Sequence, residues 1–92
     1  MNPYSAWAHF RLGWVYIRHG EKAKGIEHLK NSLEFDPNMV DVLTKLGEVL
    51  MREPNGIEEA EGYLRRALAI DENLPDALVA LGRVHEKKNE ID

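Results

Sequence analysis

The sequence predicts an all-α solenoid of five helices paired into hairpins, and three observations carry that prediction. First, the dipeptide Leu-Gly recurs at Leu12-Gly13, Leu46-Gly47 and Leu81-Gly82, 34 and then 35 residues apart, the spacing of a repeated helical unit. Second, apolar residues between these points fall at i, i+3, i+4 and i+7, the period of a helix with a buried face. Third, short breaks containing Gly, Pro and Asn separate the periodic segments at regular intervals.

The first helix is expected over Ser5 to His19 and stops at Gly20, where glycine accepts a left-handed backbone. Glu21 to Phe35 forms the second and ends at Asp36-Pro37-Asn38, because proline cannot continue a helix. The third, Met39 to Arg52, ends in the turn "REPNG". Ile57 to Ile70 follows, with Glu58 and Glu59 suited to the partial positive charge of a helix start. After Asp71-Glu72-Asn73 the fifth helix runs from Pro75 to about Asn89. Gly13, Gly25, Gly47, Ala60, Ala67 and Gly82 are small enough for paired helices to approach closely, while Leu29, Leu33, Leu46, Leu64 and Leu81 fill the space between them. Leu12, Leu46 and Leu81 are expected in like environments.

In register, His9-x2-Leu12-Gly13-x2-Tyr16 aligns with Leu43-x2-Leu46-Gly47-x2-Leu50 and Leu78-x2-Leu81-Gly82-x2-His85. Gly25-x3-Leu29 and Ala60-x3-Leu64 follow, and then Pro37. This resembles the tetratricopeptide repeat, with its W-x2-L-G-x2-Y, A-x3-F and P pattern, over essentially the whole chain from Asn2 onward. The resemblance implies a right-handed superhelix forming one domain over residues 1–92, with units at about 6–39 and 40–74 and a half unit at 75–92. The half unit becomes polar toward its end and suits a capping helix. The sequence departs from the family pattern at His9 (usually Trp), Glu72 (usually Pro) and His85 (usually Tyr), and by one extra residue, which falls in the "REPNG" turn. Asn2-Pro3 stands 34 residues before Asp36-Pro37 and reads as the trailing edge of an upstream unit, so the chain is expected to be part of a longer array.

Composition excludes several function classes. A net charge of -4 argues against nucleic-acid binding, which draws its affinity from clustered Lys and Arg. No apolar run approaches the length of a membrane span, so no membrane insertion is expected. The absence of cysteine excludes disulfides and thiolate metal sites and leaves the compartment open between a reduced cytoplasm and an oxidising space. No phosphate loop or zinc-protease motif occurs, and His9, His19, His28 and His85 have no helical i+3 or i+4 partner to share a metal. No cofactor, metal or catalytic residue is expected.

In the family's architecture, Leu12, Gly13 and Tyr16 would face into the hairpin, and Ala8 and Val15 would meet a neighbouring unit. Trp7, Phe10, Arg11, Trp14, Ile17 and Arg18 would then line the concave groove where family members hold peptides. Lys45 and Arg52 extend this groove, in which Arg83 and Lys87 alternate with Asp41, Glu48, Asp76 and Glu86. The expected binding residues are Trp7, Phe10, Arg11, Trp14, Arg18, Lys45 and Arg52, and the expected partner is an acidic, aromatic-containing peptide. Half-exposed aromatics would offer roughly 200–400 Å², worth about 5–10 kcal/mol. Association costs of about 4–15 kcal/mol leave micromolar binding or weaker. The family's carboxylate clamp for chaperone tails is absent, since its slots hold Phe10-x3-Trp14, Lys45 and Asp76-x3-Ala80. Two alternatives remain open. The aromatic face could pack against an upstream repeat or a second copy in a homo-oligomer, or the domain could be the accessory part of a larger enzyme.

Overall fold

A computed structural model describes residues 3–91, with side chains for residues 5–89. The described residues form five α-helices and no strand: α1 (Pro3–Arg18), α2 (Lys22–Phe35), α3 (Val40–Leu50), α4 (Ile57–Ile70) and α5 (Pro75–Ile91). The bounds of α4 match the sequence reading, and α3 is shorter at both ends, its expected last residues Met51 and Arg52 being drawn into the turn. The upstream-unit reading of Asn2-Pro3 rests on Asn2, which lies outside the described residues. The chain divides into two compact units, residues 1–42 and 43–92.

In the first unit α1 packs along α2. Contact is close because two glycines face each other: a Cβ on Gly13 would stand 2.8 Å from the Gly25 carbonyl oxygen, and one on Gly25 2.7 Å from that of Gly13. Leu29 is fully buried in this seam, and the buried Ser32 hydroxyl donates to the Ala6 carbonyl oxygen at 2.9 Å, tying the start of α1 to the end of α2. Gly20 turns the chain at φ 85°, a conformation that costs a side-chain-bearing residue about 1–2 kcal/mol.

In the second unit Gly47 of α3 lies directly against the branched end of Leu64 in α4, and α4 packs on α5. Leu46, Leu64, Ala60, Ala67, Ala77 and Val84 are buried. The turn after α3 takes the extra residue of the repeat together with Met51 and Arg52 and leaves the bounds of α4 as expected. Backbone N–H groups of Arg52, Glu53 and Gly56 bond to the carbonyls of Val49, Leu50 and Glu53. Gly56 itself presses against the Leu50 carbonyl, which leaves no space for a side chain.

Both units end their second helix alike. The Asp36 N–H bonds to Ser32 and the Asp36 carboxylate accepts from the Asn38 N–H at 3.1 Å; Asp71 does the same with Ala67 and with the Asn73 N–H at 3.0 Å. Such Asx turns redirect the backbone locally. Glu72 can therefore stand where the first unit has Pro37, because the aspartate makes the turn.

Three expectations about helix faces are corrected. Leu12 is 43% exposed, whereas Leu46 at the same repeat position is fully buried and Leu81 is half-buried. The three leucines therefore do not share an environment: among the described residues no second-type helix precedes α1, so its Ala8, Leu12 and Val15 face stays open. Gly82 meets nothing within 4 Å, because no described helix follows α5 to use the space. Ile17, expected on the groove stripe, instead lies against Gly25 between the two helices.

Candidate functional site

The side chains expected to bind a partner lie in both units. In the first, Trp7 is 49% exposed and meets the half-buried Phe10 edge to face, with ring centroids 5.7 Å apart. That arrangement suits the aromatic quadrupole and holds both rings in place. Trp14 is half-buried, and Arg11 and Arg18 are exposed. Leu12 and Val15, each more than two-fifths exposed, add an apolar face that the sequence reading had assigned to contacts within the fold.

In the second unit, Lys45 is half-buried and pairs with Glu48 at 3.5 Å. Arg52 stands in a cleft that it lines together with Glu48, Met51, Asp76, Val79, Ala80 and Arg83. Of its apolar lining, Met51 and Ala80 are buried and Val79 is 56% exposed. The cleft measures about 210 Å³, below the roughly 300–1,000 Å³ of a small-molecule site. It is large enough for one or two side chains of a peptide. Glu48 is partly neutralised by Lys45, so two exposed guanidinium groups and the Asp76 carboxylate set the local charge.

The sequence reading put Glu48, Asp76 and Arg83 along the groove and Ala80 in a clamp slot, but did not single out Met51 and Val79. Repeat register carries the signal for Val79: it occupies the repeat position of Phe10, so the stripe read on α1 extends to it once the period is applied, whereas Ile17, the counterpart of Met51, lies between α1 and α2.

A second constellation was missed entirely. His9 on α1 and His28 on α2 approach through their Nδ1 atoms at 3.1 Å. Phe35 lies parallel to His9 with centroids 5.5 Å apart, Tyr16 lies parallel to His28 at 5.4 Å, and the Lys24 ammonium stands 5.7 Å over the Tyr16 ring. Searching for partners within one helix could not reveal a pair that bridges two.

Elsewhere the strongest electrostatic feature joins α4 to α5. Lys88 pairs with Glu61 and, at 3.2 Å, with Glu58, while Arg65 bonds Glu61 at 2.7 Å. The Lys88 ammonium, and then the Arg65 guanidinium, hold the Glu61 carboxyl down at about 2; the same two glutamates push Lys88 up. Among the described residues no group of three His, Cys, Asp or Glu could hold a metal ion, and no helix is long and apolar enough to cross a membrane.

Paired helices joined by short turns, with glycines in the seams and a repeat register, define a helical-repeat protein. Comparison with known proteins agrees for the first hairpin: residues 6–39 match the family model of the tetratricopeptide repeat. Repeats of this family mediate protein–protein interactions and typically act as non-catalytic scaffolds.

Proposed function

We propose that this chain is a non-catalytic scaffold that holds an acidic segment of a partner protein, with the cleft of the second unit as an anchoring site. The supporting observation is that two exposed arginines, Arg52 and Arg83, line one cleft with the buried Met51 and Ala80. Arginine presents a planar fork to carboxylates, and the buried methionine and alanine offer apolar contact to the stem of the same side chain. Trp7 and Phe10 on α1, with Arg11, Trp14 and Arg18 on that helix, would receive aromatic side chains of the partner. Lys45 contributes by holding Glu48, which lowers the negative charge facing an incoming carboxylate.

The experiment is a titration of acidic, aromatic-containing peptides followed by tryptophan emission, on the unaltered protein and on Trp14→Ala and Arg52→Ala. Binding in the micromolar range that weakens several-fold in each variant is the expected result. Binding unchanged in both variants would remove these surfaces from the reading.

A further inference from the structure

The outer face of α1 has the layout of one half of a two-helix seam. Gly13 and Ile17 turn toward α2, which leaves Ala8, Leu12 and Val15 exposed on the far side. Their spacing of four and then three residues, continued four further on by the exposed His19, is the a and d spacing of a heptad repeat. Leu12 and His19 take a positions, and Ala8 and Val15 take d positions. The small side chain of Ala8 lets a second backbone come close.

The same register fixes where charge stands. Arg11 and Arg18, both exposed and seven residues apart, occupy the g positions beside the seam, where paired helices exchange salt bridges. His9 and Tyr16, at the e positions on the other flank, are engaged in ring contacts inside the hairpin. No carboxylate pairs with Arg11 or Arg18 among the described residues, and α1 contains no Asp or Glu. The face is thus apolar along one stripe and cationic along one edge, with both guanidinium groups unspent.

Charge decides among the helices that could lie there. A second copy pairing α1 with α1 would bring two more arginines and no carboxylate. A further repeat of this chain's kind would bring a helix like α2, with three lysines against two glutamates, or like α4, with three glutamates against two arginines. Neither has a strongly acidic flank. A lipid surface meets a different obstacle. Arg11 stands four residues from both Trp7 and Val15, between them on one row of the helix, so sinking those side chains into acyl chains would carry a guanidinium with them.

We infer that α1 receives an acidic amphipathic helix of another protein, which lays apolar side chains on Ala8, Leu12 and Val15 and sets carboxylates against Arg11 and Arg18. This surface shares no residue with the cleft of Arg52 and Arg83, and the two readings stand or fall separately.

The test uses two helical peptides with Leu at a and d, identical except for Glu or Lys at e and g. Both are titrated by labelled-peptide anisotropy into the chain carrying Arg52→Gln/Arg83→Gln, so that the cleft cannot supply the binding. The Glu peptide is expected to bind about tenfold more tightly than the Lys peptide. Adding Arg11→Glu/Arg18→Glu should reverse that order, and adding Leu12→Ser/Val15→Ser should weaken the Glu peptide about tenfold. All four positions are exposed, so helical content should be unchanged. Equal binding of the two peptides, or an order that survives charge reversal, would overturn the proposal. Three other results would overturn it by giving the face to another occupant. A peptide of residues 22–35 that binds as well as the Glu peptide points to a further repeat. A dimer in sedimentation that Leu12→Ser/Val15→Ser abolishes points to a second copy, and retention on anionic vesicles without peptide binding points to lipid.

Discussion

Gly13 and Gly25 face each other across the first hairpin, so that a Cβ on either would press on the other's carbonyl oxygen, at 2.8 Å and 2.7 Å. The obstacle is backbone, which cannot rotate away. Gly13→Ala is therefore expected to destabilise the protein by about 1–3 kcal/mol, despite alanine's better helix propensity. A urea unfolding midpoint at or above that of the unaltered chain would show that the helices can separate at little cost.

Two other helical glycines should behave oppositely. Nothing lies within 4 Å of a Cβ built on Gly62 or Gly82, and both positions are exposed. With no clash, Gly62→Ala and Gly82→Ala should each stabilise by about 0.5–1 kcal/mol through backbone entropy. Thermal denaturation reads this directly as a higher midpoint in each variant.

The leucines of the repeated Leu-Gly pair separate chemistry from burial. Leu46→Ala should cost about 2–5 kcal/mol because the side chain is fully enclosed. Leu12→Ala should cost under about 1 kcal/mol, since Leu12 is already 43% exposed. Similar losses at the two positions, measured by urea unfolding, would mean that something covers the Leu12 face in solution.

The Lys88–Glu61–Arg65 cluster predicts a pH dependence at the acid end. The Glu61 carboxyl is depressed from 4.5 to about 2 in the folded protein, so its contribution is fully present above the unfolded value and is lost as pH falls toward the folded one. Glu61→Gln should therefore destabilise at neutral pH, with the gap to the unaltered chain narrowing between about pH 4.5 and 2. A gap independent of pH would assign the loss to packing instead of charge.

Local chemistry made much of the fold legible. The Leu-Gly register located the hairpins, and the Ile57–Ile70 helix was bounded correctly because Gly56 and Asp71 are strong punctuation on both sides. What the sequence could not show depended on which neighbour each face meets. Leu12 and Leu46 are the same residue at the same repeat position, yet one is open and the other enclosed. Gly82 carries the same signature as Gly47 without a Leu64 to meet it. The contact between His9 and His28 crosses nineteen residues, and no helical periodicity reports on the rotation of one helix against another. Part of the proposed binding surface rests on residue type alone, at Trp7 and Arg52. Met51 was hidden because an apolar residue at the end of a predicted helix reads first as core.

The proposed role of Arg52 and Arg83 as charged anchors of a partner segment is tested most directly by the salt dependence of acidic-peptide affinity, measured by calorimetry, for the unaltered protein and for Arg52→Gln/Arg83→Gln. Affinity should fall steadily as ionic strength rises in the unaltered protein and be weak and nearly salt-independent in the double variant, with helical content the same in both. Equal affinity and equal salt response in the two proteins would contradict it.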